Sequence, residues 1–197
     1  MLGIIMIGIA YCSYEAHLWL GTQTFLLREV NTDTLQTAKE ELIQEQHVTI
    51  DVMTFTQYSN ALIRDEQNLS NFYYHRFSPE MKVAVDAWLQ TDPLKNPNAP
   101  PSPFAMSEYN RTHVLLAQQF KEKTNLELQQ AQQANENSSS YVFLSAIYTS
   151  ALFIDGVIGR TSNKKISQVL VYITMAITII ATIILIQVPS ATKFFGS

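Results

Sequence analysis

The chain has 197 residues, of which 15% are charged, with a formal net charge of -4 and a mean hydropathy of +0.01. A single cysteine excludes an intrachain disulfide framework and an all-cysteine metal site. The balance of 13 Lys and Arg against 17 Asp and Glu excludes the strongly basic surface of a nucleic-acid binder.

Residues 1–20 are apolar up to Ser13 and end in Tyr14, Trp19 and the ionisable pair Glu15 and His17. No basic stretch follows Met1, and no small-x-small cleavage site precedes the polar region. A first transmembrane helix is therefore expected rather than a cleaved signal peptide, with Tyr14 and Trp19 in the interfacial aromatic belt.

Residues 21–140 contain no glycine beyond Gly21, and their prolines all fall between Pro79 and Pro103. Without helix breakers, Thr22 to Phe77 is predicted to form long helices, either two joined around Asn31 to Thr37 or one nearly continuous. Val48, Val52, Phe55, Leu62, Phe72 and Phe77 supply apolar positions at helical spacing. Ser78-Pro79-Glu80 has the form of a helix start, with a capping hydroxyl, proline at the first helical position and an acid at the positive end of the dipole. The helix it opens is predicted to reach about Gln90, with Met81, Val85, Trp88 and Leu89 on one side. Residues 93–103, PLKNPNAPPSP, favour an extended proline-rich crossover. Ser107 is then expected to cap a last helix from Glu108 to about Asn137, with Leu116, Phe120 and Ala131 facing a core.

Residues 141–159 are apolar apart from Asp155 and read as a second span. The uncharged run 166–188 is long enough at about 1.5 Å per residue to cross a core of roughly 30 Å. Residues 160–165 between them carry Arg160, Lys164 and Lys165, which by the positive-inside tendency face the cytoplasm. Residues 21–140 then face outward, with nine basic against fifteen acidic residues, and 189–197 form an outer tail. The expected fold is all-α: an integral protein of a bacterial inner (plasma) membrane, three transmembrane helices with an extracytoplasmic antiparallel helical bundle between spans 1 and 2. The apolar stripes of that bundle are narrow, so helices from neighbouring subunits would complete its core.

Asp155 is the most informative single residue, because a carboxylate within a span is costly and faces a partner, water or an ion path. Its position places it near the cytoplasmic interface, where Arg160 or Lys164 would snorkel back to it. Glu15 lies in the opposite leaflet, where it and His17 read as wet interfacial groups. A proton path between the two carboxylates would need intermediates such as Tyr148 or Tyr172. His47 and Asp51 share a helix face at i, i+4 spacing, but with His75 and His113 they do not assemble a metal set, and Glu-x-x-His pairs are missing. Cys12 reads as a packing residue. Tyr73, Tyr74, His75 and Arg76, with Trp88, concentrate aromatic and cationic groups that either pack against the crossover or form an outer interaction surface. Asn68, Asn110 and Asn137 head Asn-x-Ser triplets or, at Asn110, an Asn-x-Thr triplet, relevant only in a eukaryotic secretory route. No phosphate loop, nucleophile elbow or zinc-protease helix occurs, so no enzyme, cofactor or metal is expected.

The segments FYYHRFSPE and DAWLQTDPLKNPNAPPSPFAMSEY, with YVFLSAIYTSALFIDGV downstream and YEAHLWLGTQT upstream, resemble a family of uncharacterised bacterial inner-membrane proteins with three predicted spans. The resemblance covers nearly the whole chain and implies the same topology, but it brings no activity. Two departures stand out. Similar sequences usually carry a cytoplasmic leader before the first span, which leaves open whether residues precede Met1, and they have a small residue in place of Asp155.

Three functions compete. The first is a non-enzymatic scaffold or accessory subunit, held in the lipid bilayer as a homo-oligomer or with a partner membrane protein. The second is a subunit of an oligomeric channel or transporter, drawing on Asp155, Glu15 and the hydroxyls of Tyr172, Thr174, Thr178 and Thr182. The third is a sensor whose outer domain signals through a partner. An enzyme ranks behind all three.

Overall fold

The computed structural model describes residues 2–109 and 112–191, and every regular element among them is helical. The order is α1 (Leu2–Ile63), α2 (Gln67–Tyr74), α3 (Pro79–Gln90), a 3-10 turn at Pro103–Ala105, α4 (Thr112–Ile158) and α5 (Lys164–Gln187). Three of these, α1, α4 and α5, are long and apolar enough over part of their length to cross a membrane. The triplet at Asn110, the basic Arg111 and the tail beyond Ala191 lie outside the described residues.

The two arrangements that the sequence allows for residues 22–63 resolve into one unbroken helix. Its many threonines do not interrupt it because their hydroxyls donate back to the carbonyl four residues earlier. Thr22 reaches Leu18 at 3.0 Å, and Thr37, Thr49 and Thr56 reach Asp33, Glu45 and Val52 at 2.8 Å each. The helix does end before Phe77, contrary to expectation. Asp65 adopts φ 59°, the Glu66 N–H donates to the Ala61 carbonyl at 2.9 Å, and the Asp65 N–H donates to the Leu62 carbonyl at 3.2 Å. This is a Schellman closure built on aspartate in place of glycine.

The start of α4 is a second correction. Residues 107–109 do not form helix, the Ser107 hydroxyl donates to the Glu108 carboxylate at 3.0 Å, and the described helix begins at Thr112. From there α4 runs 47 residues to Ile158 with no break where the sequence suggested a change of segment.

The chain divides into two compact units, Met1–Asn31 with Thr124–Ser197, and Thr32–Lys123. The first has a core of Ile5, Cys12, Ala16 and Trp19 from α1, Tyr141, Leu144, Tyr148 and Ala151 from α4, and Ala181 from α5. In it α4 runs antiparallel to both neighbours. The Ser138 hydroxyl donates to the Ala16 carbonyl at 3.0 Å, and Tyr148 and Thr182 share a hydrogen bond of 2.9 Å. Small residues bring these helices close, as in membrane packing generally. At Gly8 an added Cβ would lie only 2.9 Å from two carbons of the Tyr148 ring.

The second unit packs Tyr58, Phe77, Met81, Ala84, Val85 and Tyr109 together, with Val48, Phe55, Leu62 and Phe104 against them. Ser78 caps α3 as its sequence indicates: its hydroxyl oxygen accepts from the Met81 N–H at 3.1 Å, ahead of Pro79 at the first helical turn. The Trp88 indole N–H donates to the Pro100 carbonyl at 2.8 Å, which ties the proline-rich segment to α3. Phe55 meets Trp88 and Phe104 edge-on, with ring centroids 5.3 and 5.7 Å away. Three predicted core residues are exposed instead, Val52, Phe72 and Leu116, and on α4 the buried neighbour is Ala117.

Candidate functional site

Glu15 is buried in the first unit, with 1% of its surface exposed, rather than wet at an interface. Both carboxyl oxygens accept hydrogen bonds from the segment that follows α5: the Ser190 hydroxyl donates at 3.0 Å and the Ala191 N–H at 2.8 Å. Trp19, one helical turn further along α1, donates its indole N–H to the Pro189 carbonyl at 3.0 Å, and the Tyr141 hydroxyl reaches the same carbonyl at 3.2 Å. A proline interrupts the ladder after α5 and leaves carbonyls without helical partners; side chains of α1 and α4 supply the missing donors. The arrangement fastens the chain after α5 to the other two helices.

The other predicted intramembrane groups are not drawn into this cluster. Asp155 is partly exposed on α4, and neither it nor Arg160 or Lys164 makes an ion pair or a side-chain hydrogen bond among the described residues. Tyr148 is engaged with Thr182, while Tyr172 is exposed. The hydroxyls of Thr174, Thr178 and Thr182 donate to carbonyls of their own helix at 2.9, 2.8 and 2.8 Å. An open groove of about 350 Å³ between Ile4 and the Met175–Ile183 side of α5 is consequently apolar, with its two threonine hydroxyls turned into the backbone.

In the second unit the aromatic and cationic group divides. Trp88 is buried against the proline segment. Tyr74 donates its hydroxyl to Asp86 at 2.7 Å and packs beside Tyr58 and Phe77. Its pKa is raised above the ordinary tyrosine value, first by that hydrogen bond and then by burial and the Asp86 charge; the Tyr58 hydroxyl is pushed up by burial and by Asp86. Arg76 lies over the Phe72 ring at 3.4 Å and donates to the Phe72 carbonyl at 3.0 Å. Tyr73 meets Phe72 edge-on, and His75 remains exposed.

His47 and Asp51 do not act together. The His47 ring sits edge-on to His113 with centroids 5.3 Å apart, whereas buried Asp51 accepts from the Ser78 and Tyr109 hydroxyls at 3.1 Å each. No group of three or more metal-ligating side chains occurs among the described residues.

Over the first turns of α1 in this unit, polar rather than apolar side chains face inward. The inward line begins with Asp33, Thr37, Glu40 and Gln44 before turning apolar at Val48. Asp33 pairs with Lys123 at 2.8 Å and Glu40 with His113 at 2.6 Å, both from α4. The opposite line is Leu35, Lys39, Leu42, Gln46, Thr49 and Met53, all exposed, with Leu35 72%, Leu42 55% and Met53 65% accessible. Its spacing alternates four and three residues, the repeat of a coiled-coil seam. Ile50, 58% exposed, flanks it. The alternation is readable in the sequence, but its leucines look like core residues because apolar side chains at helical spacing ordinarily face inward.

The described residues form an all-α protein with three helices long and apolar enough to cross a membrane and a second helical unit in which Leu35, Leu42 and Met53 of α1 are exposed. Comparison with protein-family models, curated proteins and solved structures finds no match.

Proposed function

We propose that this chain is a non-enzymatic membrane scaffold or accessory subunit whose second unit docks other protein helices. The observation that carries this reading is the uncovered line Leu35, Leu42 and Met53 on α1. Leu35, Leu42 and Met53 serve neither the core of their own unit nor solvation, and apolar residues repeated along one helix face suit a partner helix. On the inward face of the same helix Asp33 pairs with Lys123 and Glu40 with His113, so the helix is tied to α4 without using Leu35, Leu42 or Met53.

The membrane in question is a bacterial inner membrane, with residues 21–140 outside the cytoplasm. Arg160 in the short connection between α4 and α5, with Lys164 and Lys165 at the start of α5, supports that orientation. A membrane-impermeant maleimide should label Lys95→Cys in intact cells stripped of outer barriers; labelling only after lysis would reverse the topology. Native mass spectrometry of the detergent-solubilised chain should show a homo-oligomer or a stoichiometric complex, and a monomer with no partner would overturn the reading.

A further inference from the structure

Where α4 passes into α5, the first unit carries positive charge that no acid of the chain takes up. Arg160, Lys164 and Lys165 are all exposed, and none makes an ion pair or a side-chain hydrogen bond among the described residues. Glu15, Glu29, Glu127 and Glu136 belong to the opposite end of the unit, which leaves Asp155 as the one acid on this side, and it pairs with none of the three. Directly along α5, the Lys165 stem with Ile166, Val169 and Leu170 lines an open apolar groove of about 250 Å³.

We infer that this end of α5 binds an anionic phospholipid of the surrounding bilayer, its phosphate among the three cations and an acyl chain along Ile166, Val169 and Leu170. The inference rests on the membrane placement proposed above and is independent of the scaffold reading.

The order of chemistry along the helix selects this occupant. Charge stands at the helix end and hydrocarbon begins at the next residue, on the most apolar of the three candidate spans. Basic side chains at a span end lay their stems along apolar surface and lift their charge to the headgroup level. A free anion would use the cations without the groove, and an apolar partner helix would use the groove without the cations. A zwitterionic headgroup brings an ammonium that the cations repel, whereas a headgroup of net negative charge gains with every basic group near it. Arg160 offers a planar fork to two phosphate oxygens, and the two lysines add point charges. The larger groove between Ile4 and the Met175–Ile183 side of α5 supplies the contrast. No basic residue lines it, so it offers hydrocarbon contact without selecting a headgroup.

The test uses the full chain in nanodiscs of equal parts phosphatidylglycerol and phosphatidylcholine with matched acyl chains, both leaflets alike. Native mass spectrometry after extraction in mild detergent reads which lipids stay bound. Phosphatidylglycerol is expected to be retained over phosphatidylcholine by about tenfold. Arg160→Gln combined with Lys164→Gln and Lys165→Gln should abolish the preference. Lys39→Gln with Lys95→Gln and Lys121→Gln, the same change of charge at exposed positions of the second unit, should keep it. Val169→Trp fills the groove without touching a charge and should lower retention severalfold. Equal retention of the two lipids overturns the inference, as does a preference that survives loss of the three cations. Displacement by inorganic phosphate, or full retention in Val169→Trp, reveals an anion site that holds no acyl chain and overturns it as well. A chain stripped from vesicles by alkaline carbonate overturns the membrane placement, a separate failure.

Discussion

Glu15 and Ser190 stand 175 positions apart in the chain, and the Ser190 hydroxyl donates to the Glu15 carboxyl group at 3.0 Å while the Ala191 N–H donates to its other oxygen at 2.8 Å. The pair closes the membrane-type unit by joining the beginning of the chain to the segment after its last long helix. A buried carboxyl group is stabilising only while its partners are in place, and a buried N–H left without an acceptor costs about 1–3 kcal/mol.

Glu15→Ala should therefore destabilise the unit by about 1–3 kcal/mol, lowering the melting temperature in detergent. Amide exchange at Ala191 should accelerate on the order of tenfold or more, in keeping with the loss of about 1.4 kcal/mol per decade. Glu15→Gln keeps one acceptor oxygen and should fall between the two. Unchanged exchange at Ala191 in Glu15→Ala would show that the carboxyl group does not hold this segment.

The contact of Gly8 with Tyr148 leads to a second prediction. A Cβ at position 8 would meet the Tyr148 ring at 2.9 Å, and the ring is held by burial on all sides and by the Thr182 hydroxyl at 2.9 Å. Gly8→Ala should cost about 1–3 kcal/mol through overpacking. Gly3, with nothing near its Cβ position, should accept alanine with little change. Combining Gly8→Ala with Tyr148→Leu should recover part of the loss, a non-additive result expected of residues in contact. Melting temperatures of the parent chain, Gly3→Ala, Gly8→Ala, Tyr148→Leu and the double variant in one detergent check it.

What the sequence makes legible here is mostly local. The helix start at Ser78-Pro79 is fixed by a hydroxyl, a proline and an acid within three residues, and the three apolar stretches declare themselves by length. The partners of Glu15 could not be read this way, because a hydrogen bond across 175 positions leaves no periodic trace and an ionisable residue near a span end suggests water. The end of α1 escaped for a different reason: the left-handed residue that closes it is Asp65, and a breaker search looks for glycine or proline. The exposure of Leu35, Leu42 and Met53 leaves no trace in composition, because on this helix the core line begins with Asp33, Thr37, Glu40 and Gln44.

The same aspartate supplies a third prediction. Asp65 sits at φ 59°, where glycine has no steric penalty and a β-branched residue has the largest. Asp65→Gly should keep or raise stability, by up to about 1 kcal/mol, whereas Asp65→Val should lower it by about 1–2 kcal/mol. Chemical denaturation of the full chain followed by circular dichroism separates the two. If valine proved as stable as glycine, the closure at Ala61 and Leu62 would not depend on the left-handed conformation.

The tyrosine pair around Asp86 predicts a response to alkaline pH. Tyr74 is held protonated first by its hydrogen bond to Asp86, and Tyr58 first by burial, with the Asp86 charge opposing ionisation of both. Folded-state values above the ordinary tyrosine value mean that the folded chain binds these protons more tightly than the unfolded chain. The contribution to stability is thus fully present below about pH 10, the unfolded tyrosine value, and is lost as pH rises through the raised folded values. Asp86→Asn removes the charge and weakens the Tyr74 bond, so its melting temperature should fall less steeply above about pH 10 than that of the parent chain. At neutral pH the variant should lose at most about 1 kcal/mol, since the Tyr74 hydroxyl and Asp86 meet at the solvent-exposed edge of the unit. Spectrophotometric titration of tyrosinate absorbance gives the independent check: the variant should ionise earlier than the parent, and identical titration curves would remove Asp86 as the cause.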